Sequence, residues 1–582
     1  MFQRVIDRMH GGEGLALIIL GFVLLAGTGL FYNFGLGTTV GDETPPLSAA
    51  LKMIAEHTLR PAYPTFYYLP VAAFAVLPFA LLGVFTLPLF GVATNVDAIT
   101  EFVILNFAQL LPWARLASVC YGALAVYVLY RIARRLFERR ETALLSAFFF
   151  STSLLFIQLA HFGRVWSVQL LMIVFTLWAI VRLFDEPRIG RYIISAGGIA
   201  LSFGINMIGV LVYVPFVVAH ALKHRGESFV RTFFLHRDFL LAHALLLVSL
   251  LFFYYLNPYG FENYLGFLKK FFVLLDTPSG ATQVVSGENT RFCGSGLMSG
   301  LIYYPRILIE YELPLLLMAG FGVLFFRRKV LEKRSAATIL GSFAVAYIAG
   351  ITVISAFGIN TCEPRYILPV VPILALLSAI FVTNVRERVS KPFSTLVLIL
   401  AATAALYGPI LFDLRLALPE TRLLAREWIF AHIPDGARIV SLEETLELPE
   451  DETTIRDIQT YAPHFLTKKR AYLLHIPPDR RLGPNYYVLT PSYFRSSIPA
   501  ELTKERYDYV IVRWWDPEDR VAQMEHVEKL GLHGSLERVA RFPDNATDET
   551  KSLDLPNNMR NPLLALPSLT QNGPVVDVYR VR

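Results

Sequence analysis

Over the first 413 residues the apolar positions come in long unbroken runs, whereas beyond them they alternate with polar positions over short stretches. A helix that crosses a ~30 Å hydrocarbon core needs roughly 20 apolar residues. Runs of this kind predict eleven spans, near residues 14–34, 113–132, 142–158, 165–183, 191–205, 206–222, 238–256, 307–326, 336–357, 366–384 and 393–413. Basic residues gather in every second connection. The clusters are Arg4 and Arg8; Arg131, Arg134, Arg135, Arg139 and Arg140; Arg182, Arg188 and Arg191; Lys223, Arg225, Arg231 and Arg237; Arg327, Arg328, Lys329, Lys333 and Arg334; and Arg386, Arg388 and Lys391. Cytoplasmic loops retain Lys and Arg, so the N-terminus is expected inside, and an odd number of spans carries the C-terminal segment outside.

One apolar stretch breaks this parity. Tyr67–Val92 lies between two segments that must both be exoplasmic, so it is expected to form an interfacial helix or a hairpin dipping into the outer leaflet, with breaks at Pro70, Pro78 and Pro88. A genuine twelfth crossing would invert every later loop. The apolar region within residues 1–35 is too long for a signal peptide and lacks a small-x-small cleavage pattern, so it reads as an uncleaved first span. No heptad run, fixed-period repeat or low-complexity tract interrupts the chain.

After Asp413 the pattern predicts a helix over Thr421–Ile433 and strands over Ala437–Ser441, Tyr486–Leu489, Tyr507–Val512 and Val575–Val581. The expected architecture is therefore an α-helical polytopic membrane protein. About eleven transmembrane helices plus interfacial helices occupy residues 1–413, and a soluble α/β domain outside the membrane occupies 414–582.

Composition agrees. With 54% hydrophobic and 17% charged residues and a mean hydropathy of +0.48, the chain is neither disordered nor a soluble multidomain enzyme, and three Cys in 582 residues exclude a disulfide scaffold. The net charge of +6 divides into +9 over residues 1–413 (31 basic, 22 acidic) and −3 over 414–582 (22 basic, 25 acidic). The positive excess belongs to the membrane half, so membrane lipids are expected partners and nucleic acid is not.

The spans look nearly free of ionisable groups. His243 reads as the only one well inside a span, with His220 near an inner end, both as satisfied core residues, and Asn206 is expected to hydrogen-bond a neighbouring helix. Chemistry then falls to the outer face, where three clusters stand out. The first is Gly41-Asp42-Glu43-Thr44-Pro45-Pro46, followed by a helical stretch Leu47–His57 with Leu47, Leu51 and Ile54 on one face. A carboxylate there can act as general base, or it can be a solvated turn that caps the helix. The second is the loop His161-Phe162-Gly163-Arg164-Val165-Trp166-Ser167, and the third is Asn360-Thr361-Cys362-Glu363-Pro364-Arg365-Tyr366-Ile367-Leu368-Pro369. Each places an Arg at headgroup level, either to hold a phosphate bidentately or to anchor the interface.

An outer acidic pair after span one, an Arg-opened second span ending in a basic patch (Arg115 to Arg140) and a late Pro-Arg-Tyr-x-Leu-Pro occur in that order. In this the chain resembles the GT-C glycosyltransferases. It is similar, more narrowly, to glycosyltransferase family 39, the polyprenyl-phosphate-mannose protein mannosyltransferases and bacterial relatives that include the lipid A aminoarabinose transferases. The resemblance covers roughly residues 1–413 and leaves the tail without a known likeness. It implies a multi-pass cell-membrane enzyme with an extracytoplasmic active site. That enzyme would move a hexosyl or pentosyl group, with inversion, from a polyprenyl-phosphate sugar donor to a hydroxyl of a glycan, lipid or protein acceptor. Carried over residue by residue, Asp42 matches the catalytic acid and Glu43 its neighbour. Tyr63-Pro64 resembles a pair that precedes the interfacial helices of relatives, and His161, Arg164, Tyr63, Glu363, Arg365 and Tyr366 become the expected substrate-binding set. One departure matters: many relatives carry an Asp in the second outer loop, where this chain has Trp166 and no acid between Gln158 and Ser167. The family is generally metal-independent, and neither metal nor cofactor is expected here.

The competing class is a polytopic transporter or lipid flippase, although internal repeats and broken polar helices at mid-membrane are not evident. Cys120 falls in a span, whereas Cys293 and Cys362 both fall in exoplasmic segments, where a disulfide and two unpaired thiols are both open.

Overall fold

The computed structural model describes residues 12–31, 44–57, 59, 70–92, 95–137, 139–256, 297–332, 334–356, 363–476, 483–494, 498–503, 506–530, 535–552, 562–569 and 571–582. The membrane half is helical throughout. Its helices are α1 (Glu13–Gly27), α2 (Thr44–Ala55), α3 (Pro70–Thr86), α4 (Val96–Leu105), α5 (Leu111–Phe137), α6 (Arg140–Ser151), α7 (Leu154–Ala160) and α8 (Trp166–Asp185). They continue as α9 (Ile189–Ile205), α10 (Tyr213–Lys223), α11 (Phe229–Phe234), α12 (Arg237–Leu256), α13 (Leu297–Glu332), α14 (Arg334–Ala356), α15 (Val371–Arg388) and α16 (Lys391–Leu416).

Every expected span coincides with an apolar helix. Among the described residues, eight helices are long and apolar enough to cross a membrane, and the bent pair α6–α7 makes a ninth. The helices at Glu13–Gly27, Ile189–Ile205 and Met207–Lys223 are apolar but shorter. One of the eight long helices is Val71–Leu89, which sequence parity set aside as non-crossing. It is a single helix rather than a hairpin. Pro70 opens it, where a missing N–H costs nothing, and Pro78 lies inside it without ending it.

The core of the bundle runs along α5, α6, α8, α13 and α15. Helix α13 packs on α15, α15 on α6, and α5 on α8. Helix α15 is apolar on all sides and is the most enclosed of the long apolar helices among the described residues, as a centrally buried helix should be. Peripheral helices keep bare Leu residues on their outer faces, among them Leu247, Leu251, Leu324 and Leu400. At the basic ends of the helices, loops are joined by ion pairs: Arg135 Nε to Asp185 Oδ2 at 2.5 Å, Arg139 to Glu387 and Arg386 to Glu141.

Two polar residues behave differently from expectation. Asn206 bonds no neighbouring helix through its carbonyl; that oxygen accepts from Ile208 N at 3.2 Å and caps the turn that reverses the chain after α9. His243 is not the only ionisable side chain well inside a span, because Glu312 of α13 is buried, 2% exposed. His243 itself is satisfied by the Tyr213 hydroxyl and the Phe239 carbonyl, and His220 by the Tyr192 hydroxyl and the Thr232 carbonyl.

Past Leu416 the chain forms helix α17 (Thr421–His432) and a five-stranded sheet of β1 (Arg438–Ser441), β2 (Tyr487–Leu489), β3 (Tyr509–Trp514), β4 (Leu536–Phe542) and β5 (Val575–Val581), in the order β2-β1-β3-β5-β4. The first three strands are parallel, and β5 runs antiparallel to both β3 and β4. Alternate residues of β1 serve opposite faces: Ile439 joins Ala425 and Ile429 of α17 in one cluster, and Val440 joins Val510 and Val527 in another. Both faces are covered, as parallel sheets require. The expected helix and four strands are all present, while β4 was not anticipated. The sheet region is pinned to the bundle through residues 562–569. Leu563 N donates to Glu310 O at 2.8 Å, Arg415 Nη2 to Pro567 O at 3.4 Å, and Leu563, Leu566 and Leu569 belong to the main apolar core.

Candidate active site

The site is assembled where a kinked span delivers a loop. Between α6 and α7 the chain bends by 58°. Ser153, in extended conformation, ends the continuous helix and caps α7, its hydroxyl oxygen accepting from Phe156 N at 3.1 Å. A break inside an apolar bundle leaves backbone donors that need partners. Glu312 supplies one: its Oε1 accepts from Ser153 Oγ at 2.6 Å and from Leu155 N at 2.9 Å. Helix α7 then carries the chain straight into His161.

His161 is fully buried, and each ring nitrogen faces a partner. Nδ1 donates to Ile157 O at 2.6 Å, since a carbonyl can only accept. Nε2 lies 2.9 Å from Thr28 Oγ1 and 2.9 Å from Asp413 Oδ1. The Asp413 contact has the distance of an ion pair without the angle of a hydrogen bond, and both carboxylate oxygens are buried without a hydrogen-bond partner among the described residues. The ring also fixes the end of α1. A Cβ at Gly29 would collide with it, so glycine alone allows the approach. Arg115, 1% exposed at the start of α5, donates from Nη1 to Gly29 O at 3.3 Å and to Leu30 O at 3.4 Å. These are carbonyls of the turn that follows α1, so Arg115 ties that turn to α5 and sets a cation near the negative end of the α1 dipole.

The rest of the loop lies on α5. A Cβ at Gly163 would sit 2.6 Å from that of Ala114, so this glycine too is required by close contact. Ser118 Oγ donates to Arg164 O at 3.2 Å. The Arg164 side chain is buried, 4% exposed, with its guanidinium 6.0 Å from the Phe162 ring.

The third expected cluster meets the second. Pro364–Val370 forms a 3-10 turn leading into α15. Tyr366 packs edge-on against Trp166 with ring centroids 5.1 Å apart, and the Arg365 guanidinium lies 5.7 Å from both rings. Arg365 Nε is ion-paired with Glu363, and both side chains are about nine-tenths buried. Trp166 thus serves as a platform for a cation.

Asp42, Glu43, Tyr63, Cys293 and Cys362 lie outside the described residues. Residues 12–31 and 44–57, the described segments before and after the acidic pair, both reach this site. Upstream, Thr28 touches His161. Downstream, α2 begins at Thr44, and its Leu47 and Leu51 pack in one cluster with Leu110, Leu111 and Ala114, the surface on which Gly163 rests. The predicted apolar face of α2 is therefore present. Of the expected residues, His161, Arg164, Glu363, Arg365 and Tyr366 converge at one end of the bundle. Sequence reasoning missed Glu312 and Asp413, and singled out Arg115 only as the opening of the second span, not as a member of the site. Each is a charged residue within or at the rim of an apolar run, which is the signal that could have found them.

Residues 97–254 match the family model described as dolichyl-phosphate-mannose-protein mannosyltransferase. The mannosyltransferase resemblance holds over that stretch. It runs from α4 to α12, so this mannosyltransferase-like segment contains Arg115, His161, Arg164 and Trp166, while Arg365 and Asp413 enter the site from outside it. Among solved structures the chain is similar to ArnT from Cupriavidus metallidurans bound to undecaprenyl phosphate. Identity is 14% and the TM-score 0.44, with 96% of this chain and 97% of that one covered. The apo state of the same protein gives 14% identity and a TM-score of 0.44, over 90% of this chain and 96% of that one. Comparison with curated proteins gives no match.

Proposed function

We propose that the chain is an integral membrane glycosyltransferase that takes its sugar from a polyprenyl-phosphate donor and places it on an acceptor hydroxyl at the outer face. The observation that carries this reading is the meeting of His161, Arg164 and Arg365 with the flanks of Asp42 at one end of a bundle whose segment 97–254 is mannosyltransferase-like. Glycosyl transfer from a lipid phosphate needs one base and one cationic phosphate site held beside it. Charge supports the outer side. Arg134, Arg135, Arg182, Lys223, Arg386 and Arg388 end their helices away from the ends that carry the site, and basic ends stay in the cytoplasm.

In the proposed step, Asp42 removes the acceptor hydroxyl proton as its oxygen forms a bond to the anomeric carbon. The bond from that carbon to the phosphate oxygen breaks, its electron pair leaves with the polyprenyl phosphate, and the configuration inverts. Arg164 and Arg365 stabilise the departing phosphate. Glu363 keeps the Arg365 fork oriented and offsets part of its charge before the phosphate arrives. The polyprenyl tail lies between spans, with only the phosphosugar in water. Purified protein incubated with synthetic polyprenyl-phosphate sugars and hydroxyl acceptors should release polyprenyl phosphate and glycosylated acceptor. Movement of the lipid across vesicle bilayers with no sugar transfer would replace this reading with a flippase.

A further inference from the structure

Far from this site, at the basic ends of the helices, three histidines meet. His220 closes the last turn of α10 and His224 follows one turn later, so both present the same face. The chain then reverses through α11 and returns His236 immediately before α12. The ring centroids are 4.7 Å apart for His220 and His224, 4.9 Å for His220 and His236, and 4.4 Å for His224 and His236. One nitrogen from each ring lies within 4.8 Å of the other two. From this geometry we infer that His220, His224 and His236 bind a divalent transition metal of the zinc class, clamping the end of α10 to the start of α12.

The outer hydrogen bonds of His220 and His224 suit ligating imidazoles, which hold their second nitrogen against a carboxylate or carbonyl. His224 Nδ1 donates to Glu227 Oε1 at 2.9 Å, which leaves its Nε2 lone pair, buried and without a hydrogen-bond partner among the described residues. His220 Nε2 donates to Thr232 O at 2.8 Å, which leaves the Nδ1 lone pair, now accepting the Tyr192 hydroxyl at 2.7 Å. For His236 to ligate through Nε2, its long 3.3 Å bond from Phe239 N to Nδ1 must give way. Metal–nitrogen bonds of about 2.0–2.1 Å draw three tetrahedral ligand atoms to roughly 3.4 Å from one another. The rings therefore close inward by roughly an ångström each on binding. His224 and His236 are only partly buried, so the fourth position opens to water. Three ligands and a water make a site that loads and unloads with the supply of metal, unlike a closed four-ligand structural site.

The test uses tag-free full-length protein in detergent, stripped with chelator and titrated with Zn2+ against a chromophoric competitor. One Zn2+ per chain is expected, and Co2+ in its place should give the visible bands of a tetrahedral site. His224→Ala and His236→Ala should each remove the stoichiometric site. Glu227→Gln changes only a surface carboxylate and should weaken binding about 10–100-fold while leaving elution and melting of the metal-free protein unchanged. If the double variant His224→Ala/His236→Ala and Glu227→Gln both bind Zn2+ as the native protein does, or if the native protein binds none, the three rings are an aromatic stack and the inference is overturned.

Discussion

At the scale of single residues the proposal rests on Asp42 as base and on two arginines as phosphate holders. Asp42→Asn keeps the shape of the side chain and removes its basicity, so turnover with a polyprenyl-phosphate sugar should fall by about 10²–10⁴-fold while the protein elutes and melts as before. Glu43→Gln should cost far less, and native turnover by Asp42→Asn would end the mechanism. Arg365→Lys keeps the charge but loses the fork that Glu363 orients and the flat face that lies over Trp166 and Tyr366. Its kcat/KM should drop roughly tenfold, about 1.4 kcal/mol in transition-state binding. Unchanged donor binding and turnover would reduce Arg365 to an interfacial anchor. The residue types of this site were legible in the sequence because unlike residues stood together at the mouths of apolar runs. Their pairing was not. His161 meets Asp413, and Arg115 meets the Gly29 and Leu30 carbonyls, across long stretches of chain whose separation no local pattern encodes.

At the scale of elements, the kink between α6 and α7 decides where His161 stands, and Glu312 holds the kink. Glu312→Ala leaves the Ser153 hydroxyl and Leu155 N–H buried without that acceptor, a cost of about 1–3 kcal/mol. Thermal unfolding in detergent should register the loss, and activity should fall with it because the loop is displaced. A melting temperature equal to that of the native protein would mean that the bend holds itself. In the sheet, Arg541 donates to Asp577 and Asp548 together. The Arg541 hydrogen bond holds the half-exposed Asp548 carboxyl below its usual range. A carboxyl lowered on folding stabilises the fold above its unfolded pKa, and that contribution is lost as pH falls through the lowered value. Denaturant unfolding followed by tryptophan fluorescence should therefore show stability declining on the acid side, with a shallower decline in Asp548→Asn. Element type was legible wherever a run was uniformly apolar or a strand was buried. It failed at Leu536–Phe542, an edge strand with charged residues on both faces, Glu537 beside Arg538 and Arg541 turned in to Asp577, which hides the alternation, and at Pro78, which sequence rules treat as a break and a helix surrounded by other helices absorbs.

At the scale of the whole molecule, charge and geometry agree on two ends, one basic and bound by ion pairs between loops, the other carrying the candidate site. Reporters fused after Arg140, Arg237 or Arg334 should read cytoplasm, and fusions after Pro419 or at Arg582 should read outside. A tail found in the cytoplasm would overturn the placement of both ends. The helix at Val71–Leu89 makes the experiment informative, since a full crossing there would invert every later reporter relative to Arg4 and Arg8.

Residues 562–569 give the molecule a property that its two compositions hide. Leu563 lies against Gly408 in the bundle, and its amide donates to a carbonyl of α13, so a segment of the polar tail completes an apolar wall. Composition divides the chain near Leu416, but the seam runs elsewhere, because part of the greasy half is written at residues 562–569. A chain ending at Leu416 would carry an uncovered oily notch beside Phe412, the neighbour of the His161 ring, and would seek detergent or a second copy to fill it. The tail is thus less a cap added to a finished bundle than the last course of its masonry.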